Sequence, residues 1–371
     1  MGLNLDALAI PEVLRDYAEE VQAAPNALSL IAVRLLESND IPPRARAICA
    51  LALRAHAPLE RIVWAATDDI VYTNVPFWHW SMVHDAERNA AYRKAIEACV
   101  EPGMNVLEIG AGTGLLAMMA AQAGAAHVYT IEANPMVAQV ARMCIARNRL
   151  SDRITVIEGH SSKVRIGQTL PRRCDLLIHE LLTTTVLTEQ MVPSIAHARD
   201  DLLTPGAPML PDRAVAIGVL SGWPTSAEQI AGPVDGFDLT PLNLLAAQVH
   251  PMHLPLGRFR LSDPQDLMDL DLNTVSRDLA GQQRVSFPVT ADGSVAGVEQ
   301  WFEARFPDGT TLNTCSDTSH WRSVFHPFGA FKPVTPGMYV SANIEYRAEL
   351  LAISAVVTGT PGGPKPYEAS A

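Results

Sequence analysis

The sequence predicts an α/β chain in three parts. These are an all-helical N-terminal extension over residues 1–75, a doubly wound parallel sheet over residues 76–205, and an antiparallel β-barrel over residues 206–371 with an inserted helical arm at about 224–270. Three observations predict it. Apolar residues recur at three-to-four spacing near the N-terminus. Strand-like and helix-like runs alternate through the middle. Beyond Pro205 the chain breaks into short β-like runs separated by turn signals. A length of 371 residues calls for two or three domains, and 48% hydrophobic against 18% charged residues supplies a large core and excludes wholesale disorder.

In the extension, Leu28, Leu30, Ile31, Val33, Leu35 and Leu36, then Ala45, Ile48, Leu51 and Leu53, fall on helical faces. Pro42, Pro43 and Pro58 separate these helices. In the middle part the expected strands are Asn105–Ile109, His127–Glu132, Ile154–Glu158 and Asp175–His179, with helices Leu115–Ala123 and Met136–Arg147 between them. Such alternation is the pattern of a parallel sheet with crossover helices. After Pro205, Pro208 and Pro211, β-like runs are expected at Ala214–Leu220, Gln283–Pro288, Val298–Phe306, Trp321–Phe325 and Leu351–Val357. Turns are expected at Ala291-Asp292-Gly293 and Pro307-Asp308-Gly309. Residues 224–270 are apolar and proline-interrupted without a period of two, which suggests the helical arm. The tail Gly359–Ala371, rich in Gly, Pro and Ser, is expected to fray.

Charge and cysteine usage narrow the function classes. The balance of 28 basic to 40 acidic residues, net −12, lacks the basic stripe of a phosphate-backbone binder, so nucleic acid is not an expected partner. Lysine occurs only at Lys94, Lys163, Lys332 and Lys365, and alanine is abundant, as in high-GC bacterial coding sequences. The five cysteines form no CxxC pair and no zinc-ligand spacing. Free thiols in a reducing compartment, and no bound metal, are the expectation. Asp6 and Glu12 stand where a signal peptide would be basic, so a cytoplasmic location is expected. The uncharged run Ile109–Ile131 is broken by four glycines, Thr113, Gln122 and His127, and is not read as a membrane span.

The run Val106-Leu107-Glu108-Ile109-Gly110-Ala111-Gly112-Thr113-Gly114 is a strand entering a glycine-rich turn ahead of a helix. Glycines there let backbone approach a ligand where a Cβ would clash. A dinucleotide fold is the first suspicion. Two features favour S-adenosylmethionine. Glu108, at the strand end, can face a ligand ammonium, and Glu132, closing the second strand, can accept both ribose hydroxyls. The Gly-Ala-Gly-Thr-Gly spacing, in place of Gly-x-Gly-x-x-Gly, separates a methyltransferase from a dehydrogenase. Past the fourth strand, Glu180 and Glu189 flank Leu-Leu-Thr-Thr-Thr-Val-Leu-Thr. Two carboxylates folded face to face suit a planar guanidinium with its fixed fork of donors. Taken singly, each acid reads as a helix cap or solvated charge, His320 as a structural histidine, and Met82, Met191 and Trp321 as core.

From Trp78 to Gly359 the sequence resembles the protein arginine methyltransferase family. The resemblance rests on Met82-Val83-His84-Asp85-Ala86-Glu87-Arg88, the glycine turn, Glu132, the Glu180/Glu189 pair, Ser319-His320-Trp321 in place of Thr-His-Trp, and Gly236-Phe237-Asp238-Leu239 opening a dimerisation arm. Trp78-His79-Trp80-Ser81-Met82 and the helical extension look most like the branch with helical repeats ahead of the catalytic module. The resemblance implies a Rossmann-like class I methyltransferase domain followed by the β-barrel, and a homodimer.

It also implies roles. Arg88 would pair with the cofactor carboxylate. Glu108, Gly110, Gly112 and Gly114 would line S-adenosyl-L-methionine and its product S-adenosyl-L-homocysteine. Glu132 would hold the ribose, and Ser161 and Ser162 would lie near the adenine, Ser162 where many relatives have glutamate. Glu180 and Glu189 would grip the guanidinium, Asp85 and His320 would form an acceptor-side pair with Trp321 beside it, and Met82 and Met191 would crowd the acceptor nitrogen. The acceptor is free L-arginine or arginine in a peptide. Relatives in high-GC bacteria make methylated arginine for natural products, which favours the free amino acid, and the Leu-Leu-Thr-Thr-Thr segment favours monomethylation. A catalytically inactive scaffold is the alternative from another class.

Overall fold

A computed structural model describes residues 41–56, 61–222, 233–245, 250–251, 260–316 and 318–359. Four helices come first: α1 (Pro43–His56), α2 (Arg61–Asn74), α3 (Trp78–His84) and α4 (Ala86–Cys99). Then follow β1 (Asn105–Ile109), α5 (Leu115–Ala123), β2 (His127–Glu132), α6 (Pro135–Arg147), β3 (Ile154–Glu158), β4 (Leu176–His179), α7 (Met191–His197) and β5 (Met209–Leu210). The rest is β: β6 (Arg213–Ser221), β7 (Pro233–Val234), β8 (Phe237–Asp238), β9 (His250–Pro251), β10 (Gln265–Asp271), β11 (Ala280–Pro288), β12 (Gly293–Arg305), β13 (Thr311–Asn313), β14 (Val324–Val334), β15 (Tyr339–Arg347) and β16 (Leu350–Gly359). The helices expected before residue 41, parts of the arm, and the tail beyond residue 359 lie outside the described residues.

The chain forms two compact units, Met1–His84 with Val100–Cys174, and Asp85–Cys99 with Asp175–Ala371. In the first unit β3, β2 and β1 are parallel neighbours in that order, with Glu108 opposite Thr130 and Glu132 opposite Glu158. All five residues of β1 are buried, as a strand covered on both faces requires. Helix α5 ends where Gly124, at φ 116°, turns its amide back to Ala120 and Ala121. Helix α6 starts behind Asn134, whose side chain accepts from the amides of Met136 (2.9 Å) and Val137 (3.3 Å), with Pro135 in the first turn. Ala47 and Ala50 of α1, Ile70 of α2 and Met136 of α6 share one apolar cluster.

In the second unit β4 and β5 pair in parallel, and two antiparallel sheets follow. One has the order β10-β6-β12-β14-β9 with β13 on β12; the other is β11-β15-β16. Val215, Ile217 and Val219 of β6 and Trp301 of β12 pack together on one face of the larger sheet. Strands β12 and β14 approach so closely that a Cβ on Gly297 would lie 2.1 Å from the His326 carbonyl oxygen.

Two expectations change. Trp321 precedes its strand, which starts at Val324, because Ser316 and Ser319 hydroxyls bind the Thr318 and Trp321 amides and hold that stretch as a turn. The described part of the arm is not α-helical. Asp235 (φ 49°) and Gly236 (φ 85°) make a two-residue turn joining β7 to β8, Thr240–Leu245 is a 3-10 stretch, and Gln265–Asp271 belongs to the larger sheet. No helix among the described residues is long and apolar enough to cross a membrane.

Candidate active site

Of the residues expected at the cofactor, Met82, Glu108, Gly110, Gly112, Gly114, Glu132, Ser161 and Ser162 belong to the first unit and Arg88 to the second. After Ile109 the chain turns at Gly110 (φ 89°), Gly112 (φ 53°) and Gly114 (φ 80°), a conformation L side chains resist. The amides of Gly110 and Ala111 both donate to the Ile131 carbonyl at 3.0 Å, which ties the turn to the end of β2. One residue on, Glu132 accepts the Gly112 amide (3.0 Å) on Oε2 and the Asn134 amide (2.8 Å) on Oε1. Burial pushes its carboxyl upward, and these amides oppose the shift. Glu108 is fully buried and accepts the Thr130 hydroxyl from the neighbouring strand. Met82, on α3, is buried, and its Cε lies 3.6 Å from where a side chain on Gly112 would begin. Ser161 is buried at the start of a 3-10 turn, whereas Ser162 is exposed and its hydroxyl bonds with His160 Nδ1 at 2.8 Å. Gly112 and Thr113 also border a cavity of about 410 Å³, walled by Trp80 and Val83 of α3, Val71 of α2, Leu51 of α1 and Val137 of α6.

Of the residues expected at the acceptor, Asp85, Glu180, Glu189, Met191, His320 and Trp321 belong to the second unit. Asp85 caps α4: its Oδ1 accepts the Arg88 amide at 2.9 Å. Its Oδ2 accepts both the amide and Nδ1 of His320, each at 2.9 Å. Burial alone would raise the Asp85 carboxyl, but these hydrogen bonds prevail and hold it below its ordinary value. Burial lowers the His320 ring, with Asp85 opposing. Trp321 is buried and donates from Nε1 to the Leu182 carbonyl at 2.9 Å. Its ring packs on His320 and meets Phe302 edge-on.

Glu180 follows β4 with its side chain 9% exposed, and its Oε2 accepts from Arg88 Nη2 at 3.3 Å. Burial raises its carboxyl to about 7; Arg88 opposes, and the charges of Glu189 and Asp85 add to the rise. The loop thus brings the two glutamates within electrostatic reach. Glu189 is an exposed residue at φ 56°, and Met191, two residues on, is buried at the start of α7. Arg88 is buried, with Nη1 on Asn89 Oδ1 (2.8 Å), its guanidinium 5.3 Å from the Tyr92 ring centre, and Nε without a hydrogen-bond partner among the described residues.

These sites fit an S-adenosyl donor. Both Glu132 oxygens accept backbone amides, and the carboxylate, with about four acceptor sites, keeps capacity for a ribose hydroxyl. The buried, unpartnered Nε of Arg88 is a donor suited to a carboxylate.

The comparisons agree. A family model of ribosomal protein L11 methyltransferase (PrmA) matches residues 92–201. An arginine N(omega)-methyltransferase of Streptomyces achromogenes subsp. streptozoticus is 35% identical over 291 residues, covering 77% of this chain and 80% of the relative. The chain belongs to the arginine N-methyltransferase family. It is an S-adenosylmethionine-dependent arginine N-methyltransferase. Protein arginine N-methyltransferase 7 of Drosophila yakuba is 32% identical over 249 residues, 62% of this chain but 36% of the fly protein. Among solved structures, the Trypanosoma brucei PRMT1 enzyme–prozyme heterotetrameric complex with AdoHcy superposes with a TM-score of 0.67 at 26% identity, covering 74% of this chain and 89% of that one.

Sequence reasoning missed the Arg88–Glu180 contact, which joins residues 92 positions apart. It also missed that Asp85 caps a helix, although an acid three residues before Arg88 carries that signal. Gln300 was missed as well. It is a buried polar residue in the interior of a strand, donating to the Thr184 carbonyl between the two glutamates at 3.1 Å.

Proposed function

We propose that the acceptor is free L-arginine and the product is monomethylated on a guanidino nitrogen. The observation that carries the guanidinium reading is the raised, buried Glu180 carboxyl electrostatically coupled to Glu189 on one short loop. The free amino acid is favoured by the streptomycete relative, named for arginine itself and matched over 80% of its length. Protein arginine N-methyltransferase 7 of the fly matches over 36% of its length.

When bound, the donor supplies an electrophilic sulfonium methyl; the protein supplies alignment and charge. In this reading Glu132 holds the ribose hydroxyls, Glu108 faces the ammonium, and Arg88 takes the carboxylate. Gly110, Gly112 and Gly114 keep side chains out of that path, and Ser161 and Ser162 lie beside the adenine. Glu180 and Glu189 bind the guanidinium, whose lone pairs are delocalised and whose pKa exceeds about 12. Ionised carboxylates on two of its nitrogens draw positive charge toward themselves and leave the third more nucleophilic. As the nitrogen–carbon bond forms and the carbon–sulfur pair returns to sulfur, one N–H proton must leave. Burial makes Glu180 more basic than an ordinary carboxylate, which equips it to take that proton. Asp85 and His320 hold the wall on which Trp321 stands, and Met82 and Met191 restrict the room for a second methyl.

The second unit also presents Val234, Phe237, Leu239 and Leu242 to solvent within the arm. A homodimer that buries them is part of this proposal. Incubation with free arginine and, separately, with an arginine-rich peptide, each analysed by mass spectrometry, tests the acceptor. Methylarginine from the free amino acid alone supports the reading; methylation of the peptide alone overturns it.

A further inference from the structure

The loop between β4 and α7 is held in an unfavourable shape. Val186 (φ 69°), Glu189 (φ 56°) and Gln190 (φ 55°) all adopt left-handed backbone without being glycine. Such a loop keeps its shape only when its surroundings over-determine it. Part of the restraint is internal: the Val186 amide donates to Thr183 O (2.8 Å), the Leu187 amide to Thr185 O (2.9 Å), and the Thr183 and Thr188 hydroxyls bond each other. Two side-chain donors add to it. Trp321 Nε1 holds the Leu182 carbonyl, and Gln300 Nε2, from the middle of β12, holds the Thr184 carbonyl.

Gln300 is fully buried, and its neighbours two residues away along the strand, Val298 and Phe302, are buried and apolar. An amide there could turn either way, and only one orientation gives the loop a donor. His326 on β14 fixes it. Its Nε2 lies 2.6 Å from Gln300 Oε1, and burial depresses the ring to about 4, so it is neutral near pH 7 and can carry its proton on Nε2. With His326 donating to Oε1, the Gln300 NH₂ group must face Thr184. Strand spacing sets the relay: Gly297, three residues before Gln300, brings β12 against the His326 backbone, where any side chain would collide.

We propose that His326 and Gln300 form a positioning relay for this arginine methyltransferase, fixing the backbone at Thr184 and through it the separation of Glu180 and Glu189. Neither residue touches the substrate. The relay presses one strained loop into the geometry that two carboxylates need around one guanidinium. The inference rests on the assignment of those glutamates to the acceptor.

The test uses the full chain. Gln300→Met keeps the volume and removes the donor; His326→Phe removes the group that orients it; His326→Gln restores a donor to Oε1. The expected results are an about tenfold or larger fall in kcat/KM for arginine in Gln300→Met and His326→Phe, and a fall under about threefold in His326→Gln. S-adenosylhomocysteine affinity, by calorimetry, stays within about twofold throughout. The double variant Gln300→Met/His326→Phe falls no further than the worse single one, since both break the same relay. Should Gln300→Met fail to fold, Gln300→Leu removes the donor without adding a charge, with the same expectation. The relay is overturned if the single variants keep kcat/KM within twofold, if their losses multiply, if His326→Gln fares as badly as His326→Phe, or if arginine turnover and S-adenosylhomocysteine affinity fall together. Loss of turnover in Glu180→Gln alongside intact Gln300→Met would discard the relay and keep the acceptor reading. Full turnover in Glu180→Gln would discard the acceptor reading itself.

Discussion

At the scale of single residues, Glu180 makes the sharpest predictions. Replacing Glu180 or Glu189 by glutamine keeps shape and removes charge, so turnover should fall by about 10²–10³-fold while S-adenosylhomocysteine binding persists, measured by initial rates and calorimetry. The raised Glu180 carboxyl also fixes the sign of two pH effects. Its unfolded value is near the ordinary 4.5 and its folded value about 7. Between those values the folded chain holds the proton more tightly, so this group's contribution to stability is present below about pH 4.5 and is lost as pH rises through 7. Activity runs the other way, because the guanidinium needs an ionised partner. At saturating donor, kcat/KM for arginine should climb with pH to a plateau above about 7. Arg88→Met, which removes the cation opposing the rise, should move that climb to higher pH; a flat profile in the unaltered enzyme would refute the role given to Glu180. Among these residues the glutamate pair was visible as a spacing in the sequence. The Arg88–Glu180 contact was not, because no local pattern joins residues 92 apart.

At the scale of elements, the periodic signals transferred well. Strands β1, β2 and β3 and helix α5 run over the residues their patterns indicate, and α6 starts one residue earlier, at Pro135 behind its Asn134 cap. These are short, largely apolar segments with glycine or asparagine close by at an end. The arm departs from its pattern because apolar residues such as Phe237 and Leu242 are exposed in the monomer, and apolar content was read as helix. Trp321 departs because hydroxyls on Ser316 and Ser319, with no period to betray them, hold a turn ahead of β14. Two substitutions test the elements around the donor site. Asn134→Ala removes the acceptor for two α6 amides and should cost about 1 kcal/mol in urea denaturation. Gly114→Ala should destabilise more than Gly112→Ala. Both need left-handed backbone, costing about 1–2 kcal/mol, but a methyl at 114 also comes within 3.1 Å of Ile145 Cδ1, against 3.6 Å from the end of flexible Met82 at 112.

At the scale of the whole molecule, the residues proposed for the ribose and adenine, Glu132, Ser161 and Ser162, belong to one unit, and the residues proposed for the cofactor carboxylate and the guanidinium, Arg88, Glu180 and Glu189, to the other. The net charge of −12 is consistent with a cationic acceptor and was legible from composition. The proposed self-association rests on resemblance, since four exposed apolar residues of the arm do not name their partner. Sedimentation equilibrium should show a dimer, and Phe237→Asp should shift it toward monomer. The cavity beside Gly112 and Thr113 has one more consequence. Two of the six tryptophans, Trp64 and Trp80, stand in its wall. The molecule therefore carries a built-in optical reporter: titrating in the spent donor should change the intrinsic fluorescence, and Trp80→Phe should dim that response, so occupancy of the glycine turn can be followed in real time without a label.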